Sequence, residues 1–177
     1  MHIDALRQGI VELLPRLRRY AYALTGARAD ADDLLQTTVE RLLEKGVPDD
    51  ANLGKWAFRV CKNVWIDEIR ARNVRVTAAA SGKVSGEEIV DGERVTMDKM
   101  AFAEVTEAMN KLPDEQRAAL SLVALEGFSY AEAADALDAP IGTIMSRIAR
   151  ARKALTDALS AKTISVVEGD MPVGAKL

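Results

Sequence analysis

The chain has 177 residues, enough for one medium domain or two small ones. Hydrophobic residues make up 49% and charged residues 29%, as in water-soluble globular proteins, and with aromatics at 5% helix is favoured over strand. A net charge of −3 requires any nucleic-acid contact to be local or helped by a partner; the single cysteine excludes an intramolecular disulfide framework; and no apolar run approaches the ~20 residues that span a bilayer.

The opening MHIDALRQG lacks a basic stretch followed by an apolar core, so it does not read as a signal peptide. The expectation is a cytoplasmic protein without membrane insertion. Residues 3–25 carry Ile3, Leu6, Ile10, Leu13, Leu14, Leu17, Tyr20, Ala21 and Leu24 at helical spacing. Pro15 removes a backbone donor inside this pattern, which predicts a kink or two abutting helices, and Gly26 reads as a stop. Asp30, Asp32 and Asp33 suit the positive end of a second helix. Its predicted buried stripe is Ala31, Leu35, Val39 and Leu42, with Asp33, Gln36, Thr37, Glu40 and Glu44 on the other side. Gly46, Pro48 and residues 49–52 form a loop.

The spacing predicts a third helix over 53–72 with Phe58, Cys61, Trp65 and Ile69 as its core stripe. Trp56, Arg59, Asn63, Asp67 and Arg70 fall opposite. Residues 55–75 hold six basic groups, Lys62 among them, against Asp67 and Glu68, a local basic patch in an acidic chain. Residues 73–96, rich in Ala, Ser, Gly and charge, read as a flexible linker. A second helical unit covers 97–161. Met100, Val105, Ala108, Met109 and Leu112 are its first core candidates. Pro113 starts the next helix and Gly127 ends it. Ser129 and Glu132 form a capping-box pattern, and the short helix they open stops near Leu137. Asp138, Ala139 and Pro140 make a turn. In the last helix Ile144, Ile148, Ala151 and Leu155 share one face, Ser146, Arg150 and Lys153 point the other way, and Thr143, Arg147 and Arg152 lie on the flanks. Residues 162–177 have no clear period and read as a frayed tail.

A capped helix, a sharp turn and an arginine-bearing helix in that order are the grammar of a helix-turn-helix that reads DNA. Arginine grips guanine edges bidentately, and all the basic groups can bind phosphate. A solvated basic face on an amphipathic helix would show the same arginines, but not the capping box and turn proline before them. The face of Trp56, Arg59, Asn63, Asp67 and Arg70 could hold an unstacked base, as single-strand binders do, or Trp56 could simply be core. There is no phosphate-cradling glycine loop, no nucleophile elbow and no cysteine pair for zinc, and His2 is the sole histidine. No cofactor, metal, small-molecule substrate or catalytic residue is therefore expected, and Cys61 reads as a small core residue.

The run from Asp32 to Thr38 (DDLLQTT) resembles a signature of bacterial sigma factors. The run from Trp56 to Arg70 is similar to their promoter-melting helix, with its Asn and Asp four apart. Leu112-Pro113, Gly127 to Tyr130, and Gly142 to Arg152 resemble their second DNA-binding region. Two helical units with only a linker between them resemble the small extracytoplasmic-function subgroup. The resemblance implies an all-α fold of two small helical domains: residues 1–72 (region 2), a linker over 73–96, residues 97–161 (region 4), and a disordered tail. It implies docking on core RNA polymerase through Asp33, Leu34, Gln36, Thr37 and Glu40. It implies contact with a start-proximal promoter element through Trp56, Arg59, Lys62, Asn63, Asp67 and Arg70. It implies contact with an upstream element through Thr143, Ser146, Arg147, Arg150, Arg152 and Lys153. It also implies control by an anti-sigma factor. Thr37 and Val39 depart from a common acidic and aromatic pair, and Met145 from a position that is often basic. Two other readings stay open: a mimic that sequesters an anti-sigma factor, and a stand-alone helix-turn-helix regulator, for which no dimer element such as sustained heptads is visible.

Overall fold

The computed structural model describes residues 3–78 and 97–169, and these are helical with short turns. Helices α1 (Ile3–Thr25), α2 (Arg28–Lys45) and α3 (Leu53–Ala78) make the N-terminal half. Helices α4 (Met97–Asn110), α5 (Asp114–Ala124), α6 (Tyr130–Leu137) and α7 (Ile141–Gly169) make the C-terminal half.

Pro15 does not divide α1, which runs as one helix from Ile3 to Thr25. The carbonyl orphaned by the missing N–H belongs to Val11, which is 58% exposed, so water can satisfy it. Gly26, at φ 77°, stops the helix and donates its N–H to Tyr22 O at 2.8 Å. The stripe of α2 is shifted from the one predicted. Ala31, Leu34, Thr38 and Leu42 are buried, and Leu35 and Val39 are only half-buried. Thr38 can sit in the core because its hydroxyl donates to Leu34 O at 2.7 Å. The third helix reaches Ala78, so residues 73–78 of the expected linker are helical; residues 79–96 lie outside the described residues.

Ala108 and Leu112 are buried, as their spacing predicts, but Met100 and Val105 are exposed. Val105 looks into a groove, not into the core. After α5 the chain turns through Gly127 at φ 70°, and Phe128 N–H closes the turn on Leu122 O at 3.1 Å. The last helix continues to Gly169, past the predicted end at 161; the remainder of the expected tail lies outside the described residues.

One buried cluster runs through both halves. It joins Leu17, Tyr20, Leu34, Phe58 and Trp65 to Leu112, Leu122, Leu137, Ile144 and Ile148. At the seam the ring of Phe58 meets Tyr20 and Phe128 edge-on, each at 5.2 Å between centroids. Arg117 of α5 is buried and reaches across the seam. It donates to Leu24 O at 2.6 Å, to Leu112 O at 3.3 Å and to Asn110 O, with its guanidinium 5.5 Å from the Trp65 ring centroid.

Candidate nucleic-acid interface

Helices α6 and α7 form the predicted helix-turn-helix. The Ser129 hydroxyl accepts from Glu132 N–H at 3.2 Å, and the Glu132 carboxylate accepts from Ser129 N–H at 2.9 Å. The Ser129 N–H, and the Ser129 hydroxyl donating at 2.9 Å, hold the Glu132 carboxyl below its usual range. The turn places Asp138 in the left-handed region at φ 53°, where Asp is among the few tolerated non-glycine residues. Ala139 N–H closes back on Ala134 O at 3.1 Å, and Pro140 O accepts from the Thr143 and Ile144 N–H groups. Ile144, Ile148 and Ala151 are buried against α5 and α6.

That packing turns Ser146, Arg150 and Lys153 together to the outside. Ser146 Oγ donates to Thr143 O at 2.9 Å, and Lys153 pairs with Asp157 at 2.8 Å. Thr143 is half-buried at the edge of this face. Two of the predicted upstream contacts point elsewhere. Arg147 turns to Glu115 at 3.1 Å, and Arg152 lies in the wall of a groove beside Leu155 and Thr156.

On α3, Asn63, Asp67 and Arg70 are exposed, and Asp67 accepts from Arg41 at 3.3 Å. Trp56 is half-buried against the core. The Arg59 guanidinium lies 5.6 Å from the Trp56 ring centroid, and it donates to Ala136 O at 3.4 Å and to Asp135 O. Lys62 is 14% exposed at its side chain and stands 3.8 Å from Glu115. A pocket of about 260 Å³ opens beside Trp56, lined by Asp50, Asn52, Lys55 and Arg59, with Asp135 of α6 on its wall.

The predicted docking face on α2 presents Asp33, Gln36 and Glu40 to solvent, with Thr37 half-buried. Gln36 donates to Glu40 at 3.0 Å, and the Thr37 hydroxyl to Asp33 O at 3.0 Å. Leu34 is a correction: at 0% exposure it is a core residue and has no surface to offer a partner. Behind this face the Glu68 carboxyl is pushed up, first by burial and further by Asp30 and Asp33, with Arg72 opposing.

The sequence reading missed the polar groups that join the halves. Glu126 has a side chain with 0% exposure. It accepts from Arg16 Nε at 3.0 Å and from Arg19 Nε and Nη2 at 2.8 and 3.1 Å. Its carbonyl also takes Arg16 Nη2 at 3.2 Å. The bond to Glu126 raises the Arg19 pKa. These partners stand 107 and 110 positions apart in the chain, so no local spacing marks them. A second missed feature is a groove of about 1120 Å³ between the halves. Tyr22, Phe102, Val105, Met109, Leu125 and Leu155 give it apolar walls, and Arg18, Arg19, Arg28 and Arg152 stand along it.

Among the described residues the chain is all helical, and the helix-turn-helix of α6 and α7 with its basic outward face places it in the class of DNA-reading helical proteins. Sequence comparison narrows that class. The family profile "Sigma-70, region 4" matches residues 102–155, and "Sigma2 domain of PhyR" matches residues 10–61. The ECF RNA polymerase sigma factor EcfG of Rhodopseudomonas palustris is 36% identical over 155 residues, covering 86% of this chain and 84% of the relative. The chain therefore belongs to the extracytoplasmic-function sigma factors of RNA polymerase. Among solved structures, the sigma factor RpoE of Bartonella quintana, in complex with the anti-sigma factor NepR, superposes with a TM-score of 0.74 at 29% identity. That match covers 89% of this chain and 98% of the other. The PhyRSL–NepR complex from Sphingomonas shares the fold, with a TM-score of 0.55 at 23% identity over 86% of this chain and 87% of the other.

Proposed function

We propose that this sigma factor is a dissociable specificity subunit, with no active site of its own, that acts in the cytoplasm. Residues 1–72 dock core polymerase through Asp33, Gln36, Thr37 and Glu40. Their third helix holds the start-proximal promoter element through Trp56, Arg59, Lys62, Asn63, Asp67 and Arg70. Residues 97–161 enter the major groove of the upstream element with Ser146 and Arg150 central, Thr143 and Arg147 beside them, and Lys153 on phosphate. Residues 73–96 connect the two. The observation that carries this reading is the division of α7 into a buried face of Ile144, Ile148 and Ala151 and an outward face of Ser146, Arg150 and Lys153. With a net charge of −3, each basic patch binds weakly alone. Polymerase gives each a high effective concentration on the promoter once the other is bound.

An anti-sigma factor controls the chain in this reading. The groove between the halves suits an amphipathic helix: apolar walls take its apolar stripe, and Arg28 and Arg152 favour acidic flanks. The solved RpoE relative, which carries NepR, supports this.

A second reading has one observation behind it. Residues 10–61 match a sigma-like domain of PhyR, and a PhyR fragment was solved with NepR, so a sigma mimic would share this fold. Size-exclusion chromatography with core RNA polymerase separates the two. The sigma reading requires co-elution, abolished by Asp33→Arg on a folded chain. Co-elution that survives Asp33→Arg sinks the docking face, and no co-elution at micromolar protein favours the mimic.

A further inference from the structure

The contacts that hold the halves together consume groups assigned above to DNA. Arg59 gives its guanidinium to two carbonyls of α6, those of Asp135 and Ala136. Lys55, outside that set but next to Trp56, pairs with the Asp135 carboxylate at 3.1 Å. Glu115, in the first turn of α5, stands between Lys62 at 3.8 Å and Arg147 at 3.1 Å, so a single carboxylate engages one candidate DNA contact from each half. Asp135 also walls the pocket beside Trp56. A carboxylate or carbonyl facing a lysine or arginine is chemically what a phosphate oxygen would be. The outward face of α7 is not covered in this way: Ser146, Arg150 and Lys153 remain exposed.

The geometry points to an intrachain competitor: in the closed chain, Glu115 and Asp135 of the C-terminal half take the place of a nucleic-acid backbone on Lys55, Arg59 and Lys62, and so mask the single-strand site of α3. This rests on the assignment of the α3 face to promoter DNA made above. The lock is the Glu126 carboxylate, buried under Arg16 and Arg19, with Phe128 against Phe58 beside it. None of the three locking charges belongs to the DNA-contact set, so the lock can be weakened without touching the site it covers. Masking is also partial: Asn63, Asp67 and Arg70 of α3 stay exposed, and in the helix-turn-helix Arg147 is engaged by Glu115 while Ser146, Arg150 and Lys153 stay readable. Apparent affinity scales with the fraction of chains in the competent state, so weakening the lock must appear as tighter binding of single strands.

The test uses the full chain and a fluorescein-labelled 12-nucleotide single strand of mixed sequence, read by anisotropy. Glu126→Gln removes the charge facing two arginines, and Glu126→Lys makes that contact repulsive; helical circular dichroism confirms that each variant is folded. We expect the single strand to bind about tenfold tighter or more to either variant, because a charge-assisted contact that favours the closed form has gone. Duplex DNA should bind about equally to all three chains. Equal single-strand affinity for wild type and the two variants overturns the masking. The assignment of α3 is checked separately with Arg59→Ala and Lys62→Ala in the polymerase-bound chain. If these weaken single-strand binding there while the free-chain affinities are equal, the assignment stands and the masking falls. If they change nothing there, the assignment fails and takes the masking with it.

Discussion

Replacing Arg117 by Met should be among the most damaging single changes outside the interface. Arg117 supplies donors to Leu24 O, Asn110 O and Leu112 O, which lie near the C-terminal ends of α1 and α4, where a positive charge also suits the helix dipole. Met fills a similar volume and donates nothing. Each buried acceptor left without a partner costs about 1–3 kcal/mol, so Leu24 O and Leu112 O cost about 2–6 kcal/mol, and the part-buried Asn110 O adds less. Burial of the guanidinium is itself unfavourable, as the lowering of its pKa by desolvation shows, and losing it returns several kcal/mol. The contact over Trp65 is worth about 1 kcal/mol more. A net loss of about 3 kcal/mol remains. At a urea slope of about 2 kcal/mol per molar, the midpoint should fall by about 1.5 M with the slope unchanged. Urea titration followed by far-UV circular dichroism measures both. Arg117→Lys should recover only part of the loss, because an ammonium cannot fan out to three carbonyls. A midpoint shift below about 0.3 M for the Met variant would refute the reasoning, since it would mean that those carbonyls find water or shift at almost no cost.

Gly26→Ala places a Cβ at φ 77° and 2.3 Å from the Asn110 side chain, so it should cost about 1–2 kcal/mol in the same titration, and a neutral result would contradict the turn geometry. In the polymerase-bound chain, Arg150→Ala should weaken binding to the upstream element by about 1–3 kcal/mol; equal loss on every duplex would make Arg150 a phosphate contact and not a reader of bases. Burial pushes the Cys61 thiol from 9.0 up to about 12, with a bond to Thr38 opposing. The folded chain should therefore resist thiol reagents at pH 8, and rapid labelling without unfolding would disprove its burial. The raised value also fixes the sign of one alkaline effect. Between about pH 9 and 12 the unfolded thiol loses its proton before the folded one, so this group's contribution to stability is complete below pH 9. It falls by up to about 1.4 kcal/mol per pH unit above that, visible as a falling midpoint that Cys61→Ala should flatten.

Much of the helical order could be read from local spacing, because burial along one helix repeats within a few residues. Ile144, Ile148 and Ala151 satisfy that period without competition, and the outward position of Arg150 followed from them. In α2 the same method slipped by a position. Leu34 and Leu35 are adjacent and both apolar, and the residue that settles the register is Thr38, whose buried hydroxyl is satisfied inside its own helix. Counting only apolar residues cannot see a buried threonine, so the predicted stripe took Leu35 and Val39 in place of Leu34 and Thr38. Met100 and Val105 carry apolar side chains that suit a core, but both are exposed, and Val105 lines the groove. The joint between the halves was not legible. Glu126, Arg16, Arg19 and Arg117 are charged residues on helix surfaces until the fold brings partners roughly a hundred positions away against them. The same joint moved Arg59 and Lys62 from open faces to internal pairs, and packing within the C-terminal half tied Arg147 to Glu115, which changed which predicted contacts lie ready on the surface.

The outward and inward faces of α7 share no residue. Ser146, Arg150 and Lys153 can therefore be exchanged for other polar side chains without altering the packing of Ile144, Ile148 and Ala151. Promoter preference can drift in such a helix while the scaffold stays fixed, and duplicated copies of this chain could diverge in target from that face alone. Arg147 is the exception: tied to Glu115, it cannot change for a new target without also disturbing how α7 meets α5.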